Sequence, residues 1–355
     1  MQSSILLPGS SVGPLAKVSH SLLGEGSHVS SGECISSLVG RLVGFHHQSL
    51  LISAYWPEGR GNVGYGANVG SNHTGRLPDQ EIRAGEGVFY GLGCCVKFPA
   101  NFQGAPYSII ASGTVCLPQK NEMPFSLIST PVEAVPGLSP GINEIFPGWV
   151  LSDSVFTVVR NEAKFRDRLK KISGSGDPSI FRLDIFEKIA SARDALAKAV
   201  QGRLKTQAGE AVFTEREIPE IGKNFLRESV RVKALKCYSE FLEWFALGSL
   251  WRAVNGHAAL GSFSSNILFG QNLEISSIPV DKLSKLFEKF TVLHDKLIVK
   301  AVEESKRKDD KRASAVIGES YAKVHPKATE QSVVKTARSE GLVLTNAIKE
   351  WRSKL

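Results

Sequence analysis

Phe146-Pro147-Gly148-Trp149-Val150 separates two parts of this sequence that differ in composition. The first 150 residues hold 22 of the 33 glycines and 12 of the 16 prolines, with 7 basic and 9 acidic residues. The remaining residues include 36 basic and 26 acidic side chains. Because the positive charge is concentrated in one part, the sequence predicts that this part binds a polyanion, either nucleic acid or an acidic membrane.

Short apolar runs bounded by glycine or proline make up most of the first part. One run covers residues 50–56 and ends at Pro57, and another covers residues 107–111. Repeated short runs with this punctuation are typical of an antiparallel β-sandwich or barrel. We therefore predict a β-rich domain over residues 34–150, preceded by a flexible arm over residues 1–33. Residues 57–84 are predicted to form a long loop of the kind that is often functional.

After Trp149 the apolar residues follow the period of helices. We predict a basic helical domain over residues 151–304, a basic and polar linker over 305–327, and a helical arm over 328–355. The predicted fold class is α+β, with an N-terminal antiparallel β-sandwich or barrel-like domain followed by a C-terminal basic helical domain and a terminal helical arm.

Basic residues in the second part are the candidate nucleic-acid-binding residues. One group has helical spacings of 4, 4 and 3, and a second lies at i, i+4 and i+8 of a helix predicted over residues 223–254. Lysine and arginine stripes can neutralise phosphates and release counterions, but a charged helix face can equally be ordinary solvated surface. The full set is Arg160, Lys164, Arg168, Lys171, Lys223, Arg227, Arg231, Lys306, Arg307, Lys308, Lys311 and Arg312.

Two apolar patterns predict self-association. A spacing of 3, 4, 3, 4 in the fourth predicted helix is that of a short heptad seam, and one face of the last helix is also apolar. The last helix must bury that face on its own chain, on a neighbouring subunit or, less favourably, on a membrane surface. The predicted oligomerisation residues are Leu283, Leu286, Phe290, Leu293, Leu297, Leu344, Ile348 and Trp351.

Catalytic and cofactor motifs are incomplete in this sequence. Residues 59–64 match the G-x-G-x-x-G pattern, but they are not followed directly by a helix that could receive a pyrophosphate. The Asn-Val-Gly triplet at 62–64 recurs at 68–70, although two copies alone do not indicate a solenoid. We predict no cofactor and no metal site, and these motifs identify no small-molecule substrate.

The cysteine pattern favours a reducing compartment. The five cysteines are odd in number, and Cys94 and Cys95 are adjacent, which is an awkward spacing for a disulfide framework. The first residues lack the basic and apolar regions of a signal peptide, and no apolar stretch approaches the roughly 20 residues needed to span a bilayer. We therefore predict a cytoplasmic protein.

These observations together predict a non-enzymatic, self-associating protein that binds single-stranded RNA. At the level of fold class alone, a β-rich front and a basic helical back are similar to virus-encoded movement, nucleocapsid or replication-accessory proteins. Two alternatives remain open. One is a structural shell or matrix protein, and the other is an enzyme of unrecognised type that uses the 57–84 loop with His46, His47 or Asp79.

Overall fold

The chain divides into two compact units in a computed structural model that describes residues 1–70, 81–172 and 176–354. The first, here called the solenoid unit, comprises Met1–Val150, Lys164–Ser179 and Lys188–Leu235. The second, here called the helical unit, comprises Leu151–Ala163, Ile180–Glu187 and Lys236–Leu355.

The N-terminal part is a parallel β-solenoid, so the predicted antiparallel sandwich or barrel is wrong. Its strands are β1 (Ile5–Leu6), β2 (Ser11–Val12), β3 (Lys17–Ser19), β4 (Leu22–Leu23), β5 (His28–Val29), β6 (Glu33–Ile35), β7 (Leu38–Val39), β8 (Gly44–Phe45), β9 (Leu50–Ile52), β10 (Ala54–Trp56), β11 (Asn62–Val63), β12 (Asn68–Val69), β13 (Ile82–Arg83), β14 (Phe89–Tyr90), β15 (Cys95–Val96), β16 (Ala100–Asn101), β17 (Ile109–Ile110), β18 (Val115–Cys116), β19 (Gln119–Lys120) and β20 (Leu127–Ser129). Each short strand pairs in parallel with the strand three places further along the chain, and β1–β20 therefore stack into three sheets. Sheet I contains β1, β4, β7, β10, β13, β16 and β19; sheet II contains β2, β5, β8, β11, β14, β17 and β20; and sheet III contains β3, β6, β9, β12, β15 and β18.

The solenoid forms because a buried apolar residue recurs at every strand from β3 to β18. Successive buried positions are five or six residues apart, which places one inward side chain on each of the three sheets in every coil. Stacking the coils joins these side chains into one continuous core, which no single coil could bury alone. Over the first coils they are Val18, Leu23, Val29, Cys34, Val39, Phe45, Leu51 and Trp56, each no more than 1% exposed.

Two segments that the sequence predicts to be irregular belong to the coils. The predicted flexible arm, residues 1–33, instead contains β1–β5 and the start of β6. The described part of the predicted 57–84 loop contains β11, β12 and β13.

Glycine is required at one of the stacked corners, because a Cβ atom on Gly40 would lie 2.2 Å from the carbonyl oxygen of Pro57 in the next coil.

The parallel stacking ends with a reversal of chain direction. The next strand, β21 (Asn143–Phe146), pairs antiparallel to β20, and it is followed in sheet II by β24 (Asn224–Arg227), β23 (Ala211–Thr214) and β22 (Leu204–Lys205). A separate apolar cluster of Val135, Val212 and Phe225 lies beneath this extension. The extension therefore caps the solenoid with structure that has its own core.

Helices occupy most of the chain after residue 148, as the sequence predicts. They are α1 (Trp149–Asp153), α2 (Val155–Ile172), α3 (Leu183–Lys198), α4 (Glu228–Val254), α5 (Ser262–Phe269), α6 (Val280–His294), α7 (Ala301–Ile317), α8 (Glu319–Val324) and α9 (Ser332–Ser353), with a π-helical segment at Asp295–Lys300 and 3₁₀ turns at Pro219–Ile221, Ile275–Ser277 and Ala328–Glu330. In the described ranges, no helix combines the length and apolarity needed to cross a membrane.

Helix boundaries differ from the sequence prediction at two places. Lys223 and Arg227 precede α4, because Asn224–Arg227 forms a strand that pairs with β21 and β23. The i, i+4, i+8 stripe through Arg231 is therefore not helical. Most of the predicted linker, residues 305–327, lies instead in α7 and α8.

Aromatic rings form the core of the helical unit. Phe186 stacks on Phe245 with ring centroids 4.0 Å apart. Further along α4, Trp251 meets the edge of Phe287 on α6 at 5.0 Å, and Phe287 meets Trp351 on α9 at the same distance. The C-terminal helix is therefore docked on its own chain.

Candidate functional site

The outward side of sheet I carries a ladder of aligned side chains. Ile5, Leu22, Leu38 and Tyr55 occupy equivalent positions on β1, β4, β7 and β10, joined by parallel register. Leu22 is partly exposed and the other three are exposed, with Ile5 60% and Tyr55 42% accessible. We call these four residues the apolar ladder. Four neighbouring apolar residues open to solvent on one flat face are typical of an interaction surface.

A shallow groove of about 470 Å³ accompanies the first three rungs of this ladder. No Asp, Glu, Lys or Arg lies among the described residues that line it. At the far end of the ladder, Tyr55 extends outward beyond the groove. The lining residues are Ser3, Ile5, His20, Ser21, Leu22, Ser36, Ser37 and Leu38.

The same face becomes polar in the later coils. Arg83, Asn101 and Lys120 continue the register of the apolar ladder on β13, β16 and β19. Arg83 pairs with Glu81 at 3.0 Å, and Lys120 pairs with Glu122 at 2.8 Å. The outward face of sheet I is thus uncharged along the apolar ladder, whereas in the later coils its basic side chains are paired with acidic ones.

A second concave site lies at the cap of the solenoid, here called the cap cleft. It encloses about 290 Å³, close to the lower end of the roughly 300 to 1,000 Å³ usual for small-molecule sites. The residues come from the loop before β21, from β22 and from the connection between β23 and β24. The lining residues are Gly137, Leu138, Ser139, Ile142, Arg203, Leu204, Thr214, Glu215, Arg216, Glu217, Lys223 and Asn224.

Four of the five charged side chains that line the cap cleft form ion pairs with one another. One carboxylate oxygen of Glu217, Oε2, accepts hydrogen bonds from the backbone N–H of Thr214 at 2.8 Å and from its hydroxyl at 2.9 Å. The other, Oε1, lies 3.2 Å from Nε of Arg203. Lys223 pairs with Glu215. Sequence reasoning missed this cleft, since its residues come from three separate stretches and match no motif.

The predicted nucleic-acid-binding residues on β24 and α4 are engaged within the solenoid unit. Arg227 donates from Nε to the buried Glu144 at 2.7 Å. Arg231 bonds to Glu228 at 2.6 Å and its guanidinium lies over the ring of Phe213. Burial raises the pKa of Glu144, and the hydrogen bond from Arg227 opposes that change.

The predicted stripe on α2 does not act as one exposed row. Arg168 donates a hydrogen bond to the carbonyl oxygen of Gly26 in the solenoid at 2.7 Å, and burial lowers its pKa. Arg160 is partly buried and lies 3.4 Å from the Asn161 side-chain oxygen. Lys164 and Lys171 are exposed.

On α7 the predicted cations fall into two groups. Lys306 pairs with Asp310, Arg307 pairs with Glu303, and Lys308 lies 3.8 Å from Asp153. Lys311 and Arg312 are exposed and have no ion pair among the residues the structure describes. Six of the twelve predicted cations are thus paired with neighbouring carboxylates, and nucleic-acid binding stays a prediction.

The predicted oligomerisation residues lie in the core of the helical unit. Leu283, Phe290, Leu293, Leu297 and Ile348 are buried, whereas Leu286, Leu344 and Trp351 are partly buried. Helix α9 covers the seam of α6 within one chain, and Arg338 on α9 pairs with Glu303 on α7. A second subunit could use this seam only after α9 had left it.

The histidines and cysteines that the structure describes form no reactive cluster. His46 and His47 are exposed on the turn after β8, and Asp79 lies outside the described residues. Burial raises the pKa of the Cys34 thiol to about 11 and that of Cys94 to about 12, so both are protonated at neutral pH and are poor nucleophiles. Within the described ranges, no group of three or more His, Cys, Asp or Glu side chains could hold a metal ion.

Comparison with known proteins gives one relative without an assigned function. An uncharacterized protein from Treponema pallidum (strain Nichols) is 30% identical over 194 residues, which is 54% of this chain. The match covers 26% of that protein, so this chain spans about a quarter of the relative's length. No protein family matches the sequence.

Proposed function

We propose that this protein is a non-enzymatic, self-associating scaffold whose solenoid binds a second copy of itself through the apolar ladder. The observation that carries the proposal is the exposed, registered row Ile5, Leu22, Leu38 and Tyr55. The seam and C-terminal helix predicted for self-association are buried within the chain, so this row is the better candidate contact.

A twofold arrangement suits this row. Adjacent strands are about 4.8 Å apart, so the four rungs span roughly 14 Å. When two copies face each other antiparallel about the middle of the ladder, Leu22 opposes Leu38 of the other copy and Ile5 opposes its Tyr55. Each Tyr55 then enters the uncharged groove of the opposite copy, which gives the self-complementary contact of a twofold dimer.

The polar half of the face favours this register over others. Sliding one copy along the sheet would place apolar rungs against Arg83 or Lys120, which are exposed and paired with Glu81 and Glu122. Burying those charged groups under apolar side chains would cost more free energy than the apolar contact contributes.

The test is the molar mass of the full chain by light scattering on a sizing column. We expect twice the chain mass of 38.5 kDa, and a shift to the monomer for Leu38→Arg. Val115→Arg is the matched control, because Val115 is an exposed strand residue on sheet III. A wild-type monomer at about 100 µM would refute the proposal, and so would an unchanged dimer of Leu38→Arg.

A cross-link tests the register. In the variant Ile5→Cys with Tyr55→Cys, mild oxidation should join two copies covalently, since these positions oppose each other across the proposed twofold axis. The variant Ile5→Cys with Val115→Cys should give little of this product. Equal yields from the two variants would contradict the antiparallel register.

Binding of single-stranded RNA remains a second candidate function. The observations that favour it are the exposed Lys311 and Arg312 on α7, which have no ion pair among the described residues, and the exposed Lys171 on α2. If they contact phosphates, Lys311→Glu with Arg312→Glu should weaken binding and reduce the slope of log affinity against log salt by about 1.4, the value for two contacts to a single strand. An unchanged slope would remove these residues from the assignment. Co-purification of nuclease-sensitive nucleic acid provides the first check.

We also propose a cytoplasmic location. All five cysteines are free, and four of them are buried. Free thiols are usual for proteins in reducing compartments. Fractionation of cells that produce the native protein would test the location.

A further inference from the structure

We infer that the outward face of sheet II binds a phosphate group, which is held by Arg168, His28, His46 and Asn62. We call these four residues the sheet II site. The site lies within the solenoid unit and shares no residue with the apolar ladder on sheet I. The inference therefore does not depend on the proposed self-association.

The outward face of sheet II carries no acidic side chain on β2, β5, β8 and β11, which are joined in parallel register. Side chains alternate along each strand, and Val29, Phe45 and Val63 face the core. The outward positions are Ser11, His28, Gly44 and Asn62, followed two residues later by Gly13, Ser30, His46 and Gly64. Glu25, the acid nearest to His28 in the sequence, is paired with Arg41. This face therefore offers hydrogen-bonding groups without a negative charge.

The glycine at position 44 lets polar side chains of neighbouring coils approach each other. A Cβ atom on Gly44 would lie 2.9 Å from Oδ1 of Asn62 and 3.5 Å from Nε2 of His28. His46 follows two residues later and is near enough for its charge to lower the pKa of His28. Neither Asn62 nor His46 uses its side chain in a hydrogen bond with the described part of the chain. Their hydrogen-bonding groups are therefore available to a ligand.

Arg168 brings a positive charge to this face from α2. It donates from Nη2 to the carbonyl oxygen of Gly26 at 2.7 Å, and the same nitrogen lies 3.5 Å from Nδ1 of His28. Burial lowers the pKa of this partly buried guanidinium, and it has no ion pair among the described residues. Charges that lose water on folding are normally paired, so a partly buried cation without a carboxylate indicates a place for a separate anion.

The protonation of His28 also suits an anion. An arginine side chain can only donate, so Nδ1 of His28 is the acceptor and the neutral ring carries its proton on Nε2. Burial lowers the pKa of His28, as do the positive charges of Arg168 and His46, and no carboxylate of the described residues opposes this shift. At neutral pH His28 therefore presents an N–H donor, and a bound anion would reduce the repulsion among the three basic groups.

The number of donors favours a tetrahedral oxyanion. Arg168, His28, His46 and the amide of Asn62 can each donate a hydrogen bond, whereas a carboxylate has two oxygens and a phosphate group has three or more. Lys171 lies three positions after Arg168 on the same helix face, is exposed and has no ion pair among the described residues, so it adds positive charge. Because the residues of the site are exposed or partly exposed, the rest of a phosphate ester can remain in solvent.

Calorimetric titration of the full chain at constant ionic strength tests the inference with inorganic phosphate, adenosine monophosphate, acetate and a single-stranded oligoribonucleotide. We expect phosphate or the monophosphate to bind with a Kd below about 1 mM, and at least about tenfold more tightly than acetate. The tighter of the two distinguishes free phosphate from a phosphate ester. Binding of the oligoribonucleotide alone would overturn the inference in favour of a nucleic acid, and so would the absence of binding by phosphate and monophosphate.

Two matched pairs of variants locate the binding. Arg168→Gln removes the charge but keeps a donor for the Gly26 carbonyl, so phosphate should bind at least about tenfold more weakly. Lys170→Gln is its control, because Lys170 is exposed and lies on a different face of α2. His46→Ala leaves the attachment of α2 intact and should weaken binding about threefold or more, whereas His47→Ala at the adjacent exposed histidine should not. Equal affinities within either pair would refute the site.

Nuclear magnetic resonance titration of the imidazoles gives a reading that does not depend on a variant. Saturating phosphate should raise the pKa of His28 by about half a pH unit or more, because the anion opposes the charges of Arg168 and His46 that lower it. An unchanged pKa of His28 in the presence of bound phosphate would place the anion elsewhere and overturn the assignment.

Discussion

The guanidinium of Arg60 lies 3.3 Å from the carboxylate of Glu86, and the two side chains are only 8% and 4% exposed. Arg60 also donates to the backbone carbonyl oxygens of Asp177 and Ser179, while the Tyr107 hydroxyl donates to Glu86 at 2.6 Å. This buried pair therefore ties a solenoid corner to the segment that precedes α3.

Loss of either member of this pair should strongly destabilise the solenoid unit. Arg60→Met leaves the Glu86 carboxylate buried without its cation, so we expect a loss of about 3 to 5 kcal/mol in the free energy of unfolding. Urea denaturation measures it. Arg83→Ala, which breaks the exposed pair with Glu81, is the control and should cost no more than about 1 kcal/mol. Similar losses for the two variants would contradict the role given to Arg60.

The stacking of the solenoid corners predicts that replacement by alanine destabilises the protein at one glycine and not at another. Gly40→Ala should destabilise the protein by about 1 to 3 kcal/mol, because the added methyl group would lie 2.2 Å from a backbone oxygen of the next coil and the coils must separate. At Gly13 the nearest atom to an added Cβ is 3.4 Å away, so Gly13→Ala should be nearly neutral. Thermal denaturation of the two variants compares them directly. A loss at Gly13 as large as that at Gly40 would be inconsistent with this stacking.

Docking of α9 on its own chain can be distinguished from an intermolecular arm. Ile348 is 2% exposed, so Ile348→Ala should lower the free energy of unfolding by about 2 to 5 kcal/mol. Because the contact is within the chain, the molar mass should not change. Leu342→Ala, at an exposed position on the same helix, is the control. A variant that altered the mass and left the stability unchanged would favour the intermolecular arm instead.

Acid should weaken the helical unit through His294. Burial lowers the pKa of this imidazole below its ordinary value of 6.5, and its Nδ1 accepts a hydrogen bond from Trp244 at 3.2 Å; the nearby Asp295 opposes the shift. The unfolded chain binds a proton at His294 more readily than the folded chain does. The stability that neutral His294 contributes is therefore present above pH 6.5 and is lost as the pH falls below that value. Urea denaturation at several pH values should show this loss in wild type, and a smaller one in His294→Gln. Identical pH profiles would exclude His294 as the cause.

Part of the fold could be predicted from the sequence, because helical periodicity needs only local information. The change near residue 150 and the apolar faces of α6 and α9 follow from spacings of three and four. The solenoid could not be recognised from two-residue strands, which do not distinguish parallel from antiparallel pairing. Its signal was the recurrence of Asn-Val-Gly at 62–64 and 68–70, which lie on the consecutive strands β11 and β12.

The repeat of one whole solenoid coil was harder to detect in the sequence than the three- and four-residue spacing of the helices. The rungs of the apolar ladder are 17, 16 and 17 residues apart, but the next interval in that register, from Tyr55 to Arg83, is 28 residues. The inward positions also differ in chemistry, with Cys34 and Trp56 filling the same role as valine. Self-similarity at a fixed period is therefore weak.

Charge could be counted from the sequence but not assigned to a surface. Arg227 and its partner Glu144 are 83 residues apart, and the carboxylate lies on a strand that the sequence placed in another domain. The cap cleft depends on the same kind of long-range contact. Its Asn224 meets Gln119 across 105 residues.

The reversal of direction at β21 has a consequence for how this protein can vary in length. A parallel coil can be gained or lost within the solenoid, because the new strands repeat the pairing of their neighbours. After β20 the same addition would separate β21 from the strand whose hydrogen-bonding pattern it matches. Natural variants of this protein should therefore differ in coil number before β20, while the antiparallel pairing of β20 with β21 is kept.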